Sequence, residues 1–177
     1  MIFIGIDPDV CDMALGFWSK GEPVGAQVVH VVRRKGVTGG AAVHRMIEAL
    51  AASQPNAHGV VESIAIEGQQ IDRREAKPEN LFTLAQAAGA VGMWIHDFYP
   101  DAQIRIPTPK VWKGQLAKHA HQARLYADLG WDYTIIGSGK NRYARPLNPS
   151  SQFQHITPGQ WKHVGDALLL GRWAEQQ

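Results

Sequence analysis

Cysteine is almost missing from this sequence: Cys11 is the only one in 177 residues. That excludes an intramolecular disulfide framework and a cysteine zinc cluster, and it fits a reducing cytoplasm. Any metal must then be held by oxygen and imidazole. Long hydrophobic runs are missing too; the longest falls far short of the ~20 residues that a membrane span needs. Met1 leads straight into "IFIGI" with no basic stretch and no small-residue cleavage site, so a cytoplasmic protein without signal peptide or membrane contact is expected. Internal repeats and low-complexity tracts are absent. The Gly-rich "GVTGGA" at 36–41 lacks the Gly-Lys-Ser/Thr ending of a phosphate loop and reads as a connection.

What is present is an apolar fraction of 45%, enough for one core, so a single domain over 1–177 is expected. The net charge of +2 hides an uneven distribution. Residues 1–102 carry 8 Lys/Arg against 12 Asp/Glu, whereas 103–145 carry 8 against 2. A basic block beside an acidic one points to a polyanionic partner; a solvated basic surface is the plainer alternative.

The pattern along the chain is mixed α/β. Residues 2–7, 13–18 and 25–32 read as strands with connections short enough for an antiparallel meander. Thr38 is a plausible N-cap for a helix to Ser53, and "VVESIAIEG" (60–68) is a further strand. A long helix is expected from Glu79 to Tyr99, with Ala85, Ala88, Gly89 and Gly92 on one face that can approach a neighbour closely. Residues 103–106 form a short strand, Pro109 opens a short helix, and another helix covers 118–128. From Gly137 to Ile156 no apolar period is sustained, which predicts a long, flexible basic loop carrying Lys140, Arg142 and Arg145. Thr157 and Gln160 have capping-box spacing, with Pro158 at the first position of a helix running to Glu175.

Three carboxylates, Asp7, Asp9 and Asp12, crowd behind the first apolar run. Glu67 ends another apolar strand. Asp166 follows His163 by three residues, so the two share a helix face. If these strands are neighbours and the last helix crosses them, Asp7, Glu67, His163 and Asp166 converge. Carboxylates so close repel, and burial raises their pKa values, unless a cation holds them ionised. Oxygen ligands favour Mg²⁺ or Mn²⁺, and the arrangement suits a phosphodiesterase with two cations roughly 3.5–4 Å apart.

The stretches "IFIGIDPDVCDMALGFW", "IAIEGQQ", "LAQAAGAVG" and "HVGDALLLGRWA" together resemble the RuvC-type Holliday junction resolvases of the ribonuclease H-like superfamily. The resemblance covers most of the chain except 137–156, and fits a diverged bacterial or bacteriophage member. It implies a five-stranded mixed sheet flanked by helices and a homodimer. It also implies Mg²⁺-dependent, paired, symmetric nicking of four-way DNA junctions. Asp7 would then bridge two metal ions, Glu67 and Asp166 would ligate them, and His163 would stand at the fourth acidic or histidine position, as ligand or proton carrier.

Two departures from the family pattern stand out. Asp9 replaces the glycine common two residues after the first aspartate, and "GQQI" has no aromatic residue after the glutamate. Arg73, Arg74 and Lys77 in the loop that follows can still contact phosphate. Lys110, Lys113 and Lys118 in "PTPKVWKGQLAKHAH" are placed to reach scissile-strand phosphates, while Trp112 reads as core. His119 and His121 lie two apart on a predicted helix and do not share a face. Three other functions stay open. One is a ribonuclease H-like nuclease for other branched DNA or RNA–DNA hybrids, and another is a non-catalytic junction-binding protein. The third is an actin-like kinase, which wants Gly and Thr/Ser where this chain has "DPDVCDMA".

Overall fold

The computed structural model describes residues 1–9, 12–30, 40–53, 59–68 and 78–177, with the backbone alone for 78–82 and Lys140. Three strands come first: β1 (Ile2–Asp7), β2 (Asp12–Ser19) and β3 (Glu22–His30). They pair antiparallel in succession, as their short connections predict. Helix α1 (Gly40–Ser53), strand β4 (Val61–Ile66), helix α2 (Pro78–Phe98) and strand β5 (Gln103–Arg105) follow. β4 lies parallel to β1 and β5 parallel to β4, giving one mixed five-stranded sheet in the order β3-β2-β1-β4-β5. The chain continues through α3 (Pro109–Lys113), α4 (Lys118–Asp128), β6 (Tyr133–Ile136), β7 (Tyr143–Pro146) and α5 (Trp161–Glu175).

Alternation along the strands sorts side chains onto two faces. Ile2, Ile4 and Ile6 of β1, Met13 and Leu15 of β2, and Ile64 and Ile66 of β4 pack with Met46 and Leu50 of α1 and with Val91 and Ile95 of α2. The residues between them, including Ala14, Trp18 and Ala65, belong to a second core with α4 and α5. Here the sheet is pared down to glycine. A Cβ on Gly5 would collide with the Ala167 carbonyl oxygen and the Gly171 amide nitrogen, and one on Gly16 would sit 2.7 Å from the Ala167 carbonyl carbon. Backbone-to-backbone contact of this kind seats α5 directly on β1 and β2.

The structure differs from expectation in four places. β3 starts earlier, at Glu22, and contains Pro23; an edge strand tolerates proline, and the register shift between Phe17 and Trp18 absorbs it. On α2, Ala88 and Gly92 are buried, with Gly92 facing Ile66, but Ala85 and Gly89 point outward, so the small residues split between two faces. The segment 137–156 holds β7, which pairs antiparallel with β6, together with two 3₁₀ turns. Helix α5 begins at Trp161; Thr157–Gln160 forms a separate turn in which the Gln160 side chain accepts a hydrogen bond from the Thr157 N–H at 2.8 Å. Among the described residues no helix is long and apolar enough to cross a membrane.

Candidate metal centre

Asp7 is the last residue of β1, and Glu67 lies one residue beyond β4. Parallel pairing sets Ile6 against Ile66 and the Glu67 N–H on the Ile6 carbonyl at 2.9 Å, so the two carboxylates leave the sheet side by side. Asp166 comes from the first turns of α5, brought down by the glycine contacts further along that helix. One oxygen from each of Asp7, Glu67 and Asp166 falls within 4.8 Å of the others. Among the described residues this is the one grouping fit to hold a metal ion.

Burial sets the electrostatics, for Asp7 is only 7% exposed and Asp166 3%. Burial first, then the charge of Asp7, pushes the Glu67 carboxyl up to about 8, against the pull of Lys113. Asp166 is also raised, by burial and by Asp7, with Lys118 opposing. For Asp7 burial is outweighed by the His163 hydrogen bond and the charge of Lys118, and the net direction is down. The neighbouring carboxylates in turn outweigh burial at Lys118 and raise it.

Two lysines meet this negative charge. The Lys118 ammonium is 2.7 Å from Asp166 Oδ2, and the Lys113 ammonium is 3.4 Å from Glu67 Oε1 and 4.8 Å from the centre of the Trp112 ring. The sequence leads one to expect both lysines to reach scissile-strand phosphates; in the structure each pairs with a carboxylate of the acidic cluster. His163 reaches the cluster through Asp7, with Nδ1 2.9 Å from Asp7 Oδ2. An ionised carboxylate only accepts, so Nδ1 carries the proton. The other ring nitrogen, Nε2, is buried without a hydrogen-bond partner, 4.0 Å from Asp9 Oδ2.

The other expected contacts are spread more widely. Lys110 is exposed on α3, Arg142 is exposed just before β7, and Arg145 is half-buried within it. Arg73, Arg74 and Lys77, and the Lys140 side chain, lie outside the described residues. Trp112 is buried, and its ring stacks on His121 with centroids 5.8 Å apart. One residue of the site has no counterpart in the sequence reading. Gln122 of α4 is fully buried, and its Nε2 donates to Asp166 Oδ1 at 2.9 Å.

All three cluster residues are hard oxygen donors, and burial, then their mutual repulsion, favours the protonated form of a carboxyl that solvent would leave ionised. A divalent cation answers both features, so the residues fit Mg²⁺ or a similar hard ion.

A mixed five-stranded sheet in the order β3-β2-β1-β4-β5, flanked by helices, is a ribonuclease H-like fold. Within that class the chain has the fold of RuvC. It matches Thermus thermophilus RuvC in complex with a Holliday junction substrate with a TM-score of 0.55 and 20% identity, covering 98% of this chain and 91% of that one. A second Thermus thermophilus RuvC structure matches with a TM-score of 0.50 and 21% identity, covering 98% and 92%. No family model matches the chain, and no curated protein matches it in sequence.

Proposed function

We propose that this protein is a metal-dependent endonuclease that resolves four-way DNA junctions by paired, symmetric nicks. The observation that carries this reading is the Asp7, Glu67 and Asp166 cluster, flanked by two lysines, on a RuvC fold. Two Mg²⁺ ions (Mn²⁺ would serve) held by Asp7, Glu67 and Asp166 would supply activation of water and stabilisation of the leaving oxygen. The chain's own residues do the rest. Asp7, at the centre, is oriented by His163, whose Nε2 can hold a proton or complete a ligand set. With cations neutralising the carboxylates, Lys113 and Lys118 would be released from Glu67 and Asp166 to meet the scissile phosphate. Lys110, Arg142 and Arg145 supply phosphate contacts further out, and the basic residues Arg73, Arg74, Lys77 and Lys140 add to them.

A four-way junction offers two equivalent strands, and a two-fold homodimer offers two equivalent sites. The outward face of α2, with Ala85, Gly89 and the 78% exposed Met93, is the apolar surface that supports such a pairing.

The test is cleavage of an end-labelled synthetic four-way junction beside matched duplex, flap and RNA–DNA hybrid, in Mg²⁺ or EDTA. Wild type should nick opposed strands of the junction symmetrically and only with metal. Asp7→Asn should bind the junction while losing on the order of 1,000-fold in rate, since a cation supplies several kcal/mol to the transition state. Preferential cutting of another substrate would keep the metal site and reassign the target. Binding without cutting under any divalent metal would leave a junction-binding module.

A further inference from the structure

Gln122 is an unusual residue to find with no solvent exposure, because a buried amide is costly unless its hydrogen bonds are made. Here it spans three elements. Nε2 donates to Asp166 Oδ1 at 2.9 Å and to the Lys162 carbonyl at 3.3 Å, both on the α5 side, while Oε1 accepts from the Ala144 N–H of β7 at 3.0 Å. The pattern fixes the amide's orientation, since a flipped group would face two acceptors with an oxygen and one donor with an amine. The helix surface is shaped to admit it. A Cβ on Gly165 would lie 2.8 Å from Gln122 Nε2 and 2.6 Å from the Tyr126 hydroxyl, so a side chain at 165 would evict the amide.

The two oxygens of Asp166 therefore have different partners. Oδ1 is held by a neutral, fully buried amide that cannot swing away. Oδ2 is held by Lys118, a charged side chain 30% exposed. We propose that Gln122 is the positioning residue of the metal centre. It locks Asp166 Oδ1, presents Oδ2 to a divalent cation, and ties that ligand to the β6–β7 hairpin through Ala144. The inference rests on the metal-site reading above and names the residue that sets one ligand's geometry. Removing partners of this kind typically weakens metal affinity or activity by ~10–100-fold.

Mn²⁺ titration calorimetry on the full chain tests it, paired with the Mg²⁺ concentration for half-maximal junction nicking. Gln122→Met keeps the length and removes the hydrogen bonds; it should fold, bind the junction in EDTA as wild type does, and bind Mn²⁺ about 10–100-fold more weakly. Saturating Mg²⁺ should restore most of its nicking rate, a rescue that a merely structural role would not give. Gln122→Glu keeps the bond from Ala144 and replaces the donation to Asp166 with a second carboxyl, so it should show a metal defect at least as large. It also decides the matter if the methionine variant fails to fold. Unchanged Mn²⁺ affinity in the folded variants overturns the proposal while leaving the metal site standing. A wild type that binds no divalent cation overturns the metal-site reading itself, and this inference with it.

Discussion

The two faces of the central sheet are built to different tolerances. The face toward α1 and α2 is filled by Ile4, Ile6, Met13, Leu15, Ile64 and Ile66, long hydrocarbon side chains that can repack around small changes. The face toward α5 is stripped to Gly5 and Gly16, where helix and sheet backbones touch. The first face provides apolar burial. The second trades side-chain volume for proximity, and proximity carries Asp166 and His163 down to Asp7. Charged groups that repel and are costly to bury are held by a rigid contact, while the ordinary core behind them is replaceable.

Adding a methyl group to the tight face should have the largest effect. In Gly5→Ala the new Cβ meets backbone on Ala167 and Gly171, which cannot rotate out of the way, so α5 must lift. Overpacking of cores typically costs 1–3 kcal/mol, and a backbone-on-backbone clash belongs at or above the top of that range, about 3 kcal/mol. Urea unfolding should show the loss as a lower midpoint. Any folded fraction should bind Mn²⁺ poorly, because the Asp166 oxygen has moved from its partners. Stability and Mn²⁺ affinity both equal to wild type would mean that the close approach does not set the site.

Much of this site was legible in the sequence, for reasons that lie in local pattern. Asp7 and Glu67 each end a short apolar run, and strand neighbours that end together present their next residues together. Helical spacing puts His163 and Asp166 on one face, and the resemblance to RuvC-type resolvases supplies their convergence on Asp7 and Glu67. Gln122 was not legible as part of the site, because its role depends on which residues α5 and β7 set against α4. Its one signal is position: it falls with Leu125 and Tyr126 on the buried stripe of α4, where a polar residue requires a reason. The β6–β7 hairpin was hidden by strand length. Four residues hold only two alternations, too few to stand out from the Gly-, Pro- and Asn-rich segment around them. Lys113 and Lys118 were legible as basic residues near the site, but their pairing with Glu67 and Asp166 is a property of the folded cluster.

Charge on the tight face makes a pH signature that the hydrocarbon face cannot. Burial and the charge of Asp7 push the Glu67 carboxyl up to about 8 in the folded, metal-free chain, against an ordinary 4.5. Below pH 4.5 both states keep the proton and the group is neutral toward folding. As pH rises from there the unfolded chain releases the proton first, so stability falls until the folded pKa is passed, and above pH 8 the full penalty is present. Metal-free Glu67→Gln should therefore match wild type in Tm near pH 4.5 and exceed it by several degrees above pH 8, although its nicking is lost. A divalent cation must displace that same proton, so wild-type Mn²⁺ affinity should rise with pH up to about 8 and then level off. Identical Tm-against-pH curves for the two proteins would remove Glu67 as the strained carboxylate.

The smallest effect is expected one residue from the largest. Ile4 precedes Gly5 on β1 and points to the opposite face, fully buried against the α1 and α2 layer. Ile4→Val removes one methyl group there, which typically costs about 0.5–1.5 kcal/mol through lost transfer energy and a small cavity. Neighbouring isoleucine and methionine side chains can close part of that space, and Ile4 itself lies three residues before Asp7 on the strand. The unfolding midpoint should drop modestly while Mn²⁺ affinity and the nicking rate per folded molecule stay at wild-type values. Adjacent residues of one strand would then separate stability from site geometry. A loss of metal affinity in Ile4→Val comparable to that in Gly5→Ala would show instead that the two faces are mechanically coupled through β1, and that the hydrocarbon layer also aims the carboxylates.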